Sequence, residues 1–290
     1  MTNLTLSHLR QNFRKKNKWI RFCLDFFREP LLFRILGLFV SVFGNIKLKI
    51  LFDLIPRQYY AFGLDKAFSK AKKENAKKIL ILEFGVAAGA GLLNLSKLAK
   101  ILSNFYKVDY EIIGFDGGIG LPKPHDFRDH PEIYKLGDYP SMGLENKKLP
   151  NKTKIIYGDI SESVNSLTKI FSDEKSKIGF ISIDVDYYYS SKDALKVLNF
   201  EEFNYLSSVV MYFDDVDLPE HNSFCGELLA IEEFNALSEY RKICKINQIK
   251  NIRIYRNADY LEKMYYCHIF DSSFRKKHLD PKGKVIKLPR

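Results

Sequence analysis

Seven carboxylates stand where short apolar runs of this sequence end. Glu83 follows Ile79–Leu82, Asp116 closes Tyr110-Glu-Ile-Ile-Gly-Phe-Asp, and Asp159 follows Lys154-Ile-Ile-Tyr-Gly158. Asp184 and Asp186 end Ile178-Gly-Phe-Ile-Ser-Ile-Asp-Val-Asp, and Asp214 and Asp215 end Ser207-Ser-Val-Val-Met-Tyr-Phe-Asp-Asp. Open α/β sheets bind ligands outside the carboxyl ends of their strands. One acid there is a turn or a cap, but acids at five consecutive strand ends define a site. Asp184 and Asp186 lie two residues apart, so an extended backbone turns both to one face. With Asp214 or Asp215 they offer hard oxygen ligands suited to Mg²⁺. The alternative for this pair is capping of the helix from Ser190 to Leu198, which accounts for one acid and not two. The alternative for Asp116 is a turn before Gly117-Gly118.

The glycines sit beside the first of these acids, in Glu83-Phe-Gly85-Val-Ala-Ala-Gly89-Ala-Gly91. Glycine serves a strand-to-helix turn because its backbone takes positive φ and approaches a ligand closely. A dinucleotide fingerprint, G-x-G-x-x-G counted from Gly85, meets Ala87 and Ala90 at its second and third glycines, and no Gly-Lys-Ser/Thr of a P-loop is present. The pattern Glu-x-Gly-x-x-x-Gly-x-Gly resembles motif I of class I S-adenosylmethionine (SAM) methyltransferases. SAM carries no phosphate, so such a loop passes beside its methionine and ribose while a carboxylate faces its cationic end. The resemblance implies SAM against Glu83, Gly85, Gly89, Asp116, Gly158, Asp159 and Ile160, with Asp116 accepting hydrogen bonds from ribose hydroxyls.

A more specific resemblance follows. Glu83-Phe-Gly85, Gly114-Phe-Asp116 with Gly120-Leu-Pro122, Asp184-x-Asp186-x-Tyr188-x-Ser190-Ser191, Asp214-Asp215 and Ala230-Ile-Glu-Glu-Phe234 occur in the order seen in the macrocin O-methyltransferase (TylF/MycF-like) family, over roughly residues 57–270. That family methylates sugar hydroxyls with SAM and Mg²⁺. By resemblance Asp184, Asp214 and Asp215 hold the metal, and Asp184 also serves as the catalytic base. Two positions depart: the family's Asp-Ser-Phe-Glu-Gly-Leu-Pro is Asp116-Gly-Gly-Ile-Gly-Leu-Pro here, and Val216 replaces a tyrosine. The expected acceptor is a small molecule or a glycan. A rival reading takes Asp184-x-Asp186 as the DxD pair of a metal-dependent glycosyltransferase, and leaves the Gly85 turn without a role. A second rival, a non-catalytic membrane-associated protein, leaves the strand-end acids unexplained.

The apolar runs alternate with helical periods such as Leu92, Leu95, Leu98 and Ala99, the mark of strand-helix units around a parallel sheet. The fold expected is α/β: a Rossmann-like, doubly wound, mostly parallel sheet with an antiparallel C-terminal edge, plus an N-terminal helical arm. Ile249–Tyr255 and Met264–Phe270 are the strands expected at that edge. A helix is expected over Leu64–Asn75. Residues 122–150 have no sustained period and read as a lid or binding segment, in which Asp126, Arg128, Asp129, His130 and Tyr134 either contact an acceptor or form a surface ion-pair set.

The arm, residues 1–56, precedes a catalytic domain over 57–290. Eleven Lys and Arg against three acids in residues 1–57 give about +8 of the net +11, so a basic arm joins a nearly neutral body. Leu6, Leu9, Phe13, Ile20, Leu24 and Phe27 share a helical face, and Leu31–Ile55 is more apolar but has an uncharged run too short to span a bilayer. The arm is either an interfacial helix pair on an anionic membrane or a helical cap on the domain or on a second subunit of a homo-oligomer. No nucleic-acid partner is expected. Cys23, Cys225, Cys244 and Cys267 have no metal-site spacing and read as buried small hydrophobes in a reducing, cytoplasmic compartment, with peripheral membrane contact through the arm.

Overall fold

The computed structural model describes residues 31–141, 144, 148–169, 176–217 and 221–279. The expected amphipathic face from Leu6 to Phe27 lies outside the described residues. The chain divides into two compact units, one of residues 1–55 with 247–261 and one of residues 56–246 with 262–290.

In the first unit, α1 (Leu31–Phe43) and α2 (Ile46–Leu51) follow one another, and the Asn45 side chain caps α2 by accepting from Leu48 N. α1 leaves Leu32, Ile35, Leu38, Phe39, Val42 and Phe43 exposed. No helix among the described residues is long and apolar enough to cross a membrane.

The second unit contains α3 (Gln58–Lys73), β1 (Lys78–Phe84), α4 (Ala90–Tyr106), β2 (Asp109–Asp116), β3 (Thr153–Tyr157), α5 (Ile160–Ser163), β4 (Ser176–Ile183), α6 (Tyr188–Leu195), β5 (Tyr205–Phe213), α7 (Gly226–Leu237), β6 (Arg241–Lys245) and β7 (Met264–Ile269). The seven strands form one sheet in the order β3-β2-β1-β4-β5-β7-β6; the first five run parallel and β7 is antiparallel to both its neighbours. This is the Rossmann-like, doubly wound sheet expected. β1 and β4, buried on both faces, are almost wholly apolar because helices cover the sheet. α3 places Tyr60, Leu64, Ala67, Phe68 and Ala71 on one buried stripe, and its Gly63 lies so close to Phe180 that a methyl group there would sit 2.3 Å from the ring. The helix begins six residues earlier than expected, so Tyr59 and Tyr60 belong to it.

Two expectations are corrected. Ile249–Tyr255 is no strand: Ile249–Ile252 forms a short helix, α8, in the first unit, where Arg253 bonds Asp53 and the Ile50 carbonyl. The strand partnering β7 is instead Arg241–Lys245, whose charged residues suit a sheet edge. Of the cysteines expected to be buried, Cys267 is buried, Cys225 is half-buried, and Cys244 is exposed because it alternates outward on that edge strand; Cys23 lies outside the described residues.

Candidate active site at the carboxyl edge of the sheet

Strand order reverses direction between β1 and β4, and a crevice opens at such a point. Backbone hydrogen bonds draw the strand ends together: Gly85 N donates to Phe115 O, Asp184 N to Phe84 O, Asp214 N to Ile183 O and Gly158 N to Asp116 O. Gly85 has φ +85°, and a Cβ on it would lie 1.7 Å from the Asp184 carbonyl. No other residue fits there without moving β4 away from the turn.

A cavity of about 770 Å³ occupies the crevice. Gly85, Asp116, Gly158, Asp159 and Ile160 line it together with Asp184, Asp186, Asp214, Asp215 and Tyr134. Gly158, at φ +132°, has open space where a side chain would stand. Glu83 and Gly89 are not among the lining residues. Glu83 lies behind the turn, buried, and Tyr60 donates to its Oε1 at 2.7 Å. Gly91 allows this, since a Cβ there would lie 2.0 Å from that oxygen. Burial raises the Glu83 carboxyl to about 7, against the lowering effects of the Tyr60 hydroxyl and of Arg57. Gly89 faces Leu144.

Asp116 forms the turn offered as its alternative reading and also ties down the glycine turn, which the sequence did not suggest. Its Oδ1 accepts from Gly118 N at 2.6 Å, forming the turn, while Oδ2 accepts from Val86 N and Ala87 N at 2.8 Å each. Those bonds hold Ala87 at φ +44°, unusual for a residue with a side chain. Three of the roughly four lone-pair directions are thereby filled. Asp159 is exposed and caps α5, accepting from Ser161 N and Ser161 Oγ, which lowers its pKa.

One carboxylate oxygen from each of Asp184, Asp214 and Asp215 lies within 4.8 Å of the others; Asp184 and Asp214 are half-buried and Asp215 is buried. The capping alternative for Asp184 and Asp186 fails, because α6 starts at an N-cap, Tyr187, with no side-chain cap. The expected extended pair is also corrected: β4 ends at Ile183, and Asp186 takes φ +61°, a conformation aspartate tolerates better than most residues. Asp186 therefore turns toward Asp215 and does not join the three converging acids.

The cluster is electrostatically crowded. Burial, then repulsion from Asp214, Asp215 and Asp186, raises Asp184 well above the usual carboxylate range. Burial followed by the charge of Asp215 lifts Asp186 to about 8, and burial followed by Asp214 lifts Asp215 to about 6. Asp215 Oδ2 is buried without a hydrogen-bond partner. Behind the cluster, buried Glu227 accepts from Asp215 N at 2.9 Å and is itself raised by burial and by Asp215. Crowded, partly orphaned oxygens are the donor set that suits a hard divalent cation.

Several contributors escaped the sequence reading. Tyr212 donates to Asp214 and stacks on Tyr59 with ring centroids 4.2 Å apart, while Lys263 holds the Asp214 carbonyl and pairs with Asp217 at 3.1 Å. Of the five loop residues proposed to meet an acceptor, Tyr134 lines the cavity. Asp129 is buried and accepts from His125 N and Tyr189 N, and Arg128 pairs with Asp126 beneath the rings of Tyr188 and Tyr189. His130 is buried and its ring stacks on His221. The aspartate at the centre of a Pro- and His-rich loop was the available signal for these contacts around Asp129.

No family model and no curated protein sequence matches the chain. Solved structures are similar to it. CalS11, a calicheamicin methyltransferase, shares 20% identity over 77% of this chain and 83% of its own, with a TM-score of 0.49. The O-methyltransferase TomG from Streptomyces achromogenes, solved in complex with SAM, shares 12% over 71% and 78%, with a TM-score of 0.37. An O-methyltransferase from Bacillus cereus, solved with SAH, shares 14% over 74% and 81%, with a TM-score of 0.36.

Proposed function

We propose that this chain is a SAM-dependent O-methyltransferase acting on a hydroxyl of a sugar, another small molecule or a glycan. One observation carries the reading: a single cavity joins the glycine turn at the β1/β4 switch point to the three converging aspartates. SAM supplies a methyl group made electrophilic by its sulfonium. Gly85, Asp116, Gly158, Asp159 and Ile160 face it, and Glu83 and Gly89 act from behind by shaping the turn. Asp184, Asp214 and Asp215 would hold Mg²⁺, which lowers the pKa of a nearby hydroxyl.

The chain's own chemistry is positioning and proton transfer. The acceptor oxygen forms its bond to the methyl carbon as the carbon–sulfur bond breaks, and the sulfur keeps that electron pair. Asp184 takes the hydroxyl proton. Without a cation its burial and acidic neighbours favour the protonated carboxyl, so a bound cation would be what leaves it ionised and able to accept that proton. A glycosyltransferase reading has no use for a turn whose glycine admits no side chain.

A second reading concerns the first unit, for which the exposed apolar residues of α1 favour an anionic membrane surface over a cap. Exposed Lys47 stands on the next helix. The enzyme would then be cytoplasmic and peripheral.

Asp184→Asn tests the chemistry. It should lower kcat and kcat/KM together by roughly 10²–10⁴-fold while leaving SAM affinity nearly unchanged. EDTA should reproduce the loss in the wild type and added Mg²⁺ should reverse it. Full turnover in EDTA would refute the metal role.

A further inference from the structure

We infer that Glu227, on the first turn of α7, is a positioning residue for the divalent cation: it fixes Asp215 and adds its own charge from behind the three converging acids. The inference rests on the metal reading of Asp184, Asp214 and Asp215. It concerns a residue outside the Ala230–Phe234 run that carries the family resemblance.

Asp215 is gripped through both of its backbone polar groups. Glu227 Oε2 accepts from Asp215 N at 2.9 Å, and His221 Nδ1 donates to the Asp215 carbonyl. The two grips are packed against a common neighbour. The His221 ring stacks on His130, with centroids 4.6 Å apart and planes inclined by 7°. Gly226, beside Glu227, turns at φ +56°, and a Cβ there would lie 3.3 Å from the same His130 ring. The loop carrying His130, the connection after β5 and the start of α7 thus close on one residue, whose side chain lines the cavity. Groups that orient a ligand in this way set metal affinity nearly as strongly as the ligand itself.

A hydrogen bond alone does not account for glutamate at this position. The side chain is fully buried, and Oε1 has no hydrogen-bond partner in the fold. An amide of the same length would accept from Asp215 N without a charge to bury. Asp215, Asp184 and Asp214 stand close enough for their charges to act on Glu227, and its charge acts in turn on Tyr265 and Tyr134. A further acid there repels its neighbours while the cluster is empty and attracts a cation that enters it. The orphaned Asp215 Oδ2 is an independent sign of the same kind, a buried oxygen left open beside the cavity.

The test uses the full chain, stripped with EDTA and titrated with Mn²⁺, the free ion being read by its paramagnetic resonance signal. Glu227→Gln keeps the acceptor for Asp215 N and removes the charge. It should weaken Mn²⁺ binding at least roughly tenfold, with SAH affinity within about twofold of the wild type. Glu227→Asp keeps the charge on a shorter side chain and should bind Mn²⁺ more tightly than Glu227→Gln. A plain structural acceptor predicts the reverse order, because the longer amide still reaches Asp215 N. Unchanged Mn²⁺ affinity in Glu227→Gln, or that reverse order, overturns the inference. Where Glu227→Gln loses SAH as well, the order of the two variants decides. Absence of Mn²⁺ binding by the wild type removes the metal reading and this inference with it. Absence of SAH binding by the wild type removes the methyltransferase reading, a result the Mn²⁺ titration does not depend on.

Discussion

Buried acids are treated in opposite ways in the two units. In the first, Asp53 Oδ1 accepts from both the Arg253 guanidinium and the Tyr260 hydroxyl, and Arg253 also reaches the Ile50 carbonyl. In the second, Asp184, Asp186, Asp215 and Glu227 face one another with Lys263 held at the margin. A half-buried acid with a fixed cation ties the end of α2 to the residue after α8. Buried acids without one raise each other's pKa and leave an opening for a cation to enter. The difference separates architecture from site more sharply than burial does.

Removing the fixed cation should have the largest effect on stability. Arg253→Met leaves Asp53 without its guanidinium partner and should cost about 3–5 kcal/mol in denaturant unfolding of the first unit, the range for breaking a buried pair. A cost below about 1 kcal/mol would place that pair with ordinary surface bridges.

The second unit should respond with the opposite sign. Burial raises Glu83 from 4.5 to about 7, so the folded protein binds this proton more tightly than the unfolded chain does. The resulting stability is present below about pH 4.5 and is lost as pH rises through about 7. Glu83→Gln keeps an acceptor for Tyr60 and removes the titration. It should therefore gain on the wild type by about 3 kcal/mol between pH 4.5 and pH 8. Parallel urea profiles for the two proteins at both pH values would contradict the assignment of Glu83 as a strained, buried acid.

A smaller effect concerns the apolar face of α1. Full-length protein should co-sediment with anionic vesicles, and replacing Leu38 and Phe39 by Glu should weaken binding by about 1 kcal/mol or more for each charge placed near the surface. Binding should also fall with salt. Equal sedimentation of the double variant would return α1 to a cap or subunit contact.

The strand-end acids were legible because an apolar run followed by Asp or Glu is a local pattern, and the open sheet gives that position a meaning. The antiparallel edge was half legible. Met264–Ile269 is apolar and reads as a strand, whereas Arg241–Lys245 carries alternate charges and reads as surface. Ile249–Tyr255 looked like a strand through its isoleucines, but a distant ion pair, Arg253 with Asp53, fixes it in another unit. Which acids meet was only partly readable: the sheet order brings β4 beside both β1 and β5, and Asp186 leaves the extended path by one left-handed residue. Glu227 and Lys263 sit on a helix and in a connection, where charge ordinarily signals solvent.

Calorimetric titration of SAH asks directly whether the crevice between β1 and β4 holds SAM. The wild type should bind at one site. Gly85→Val, whose Cβ would stand against the Asp184 carbonyl, should lose at least roughly a hundredfold in affinity. Asp214→Asn, in the acidic cluster, should bind SAH within about twofold of the wild type. No binding to the wild type, or equal binding by Gly85→Val, would contradict the account.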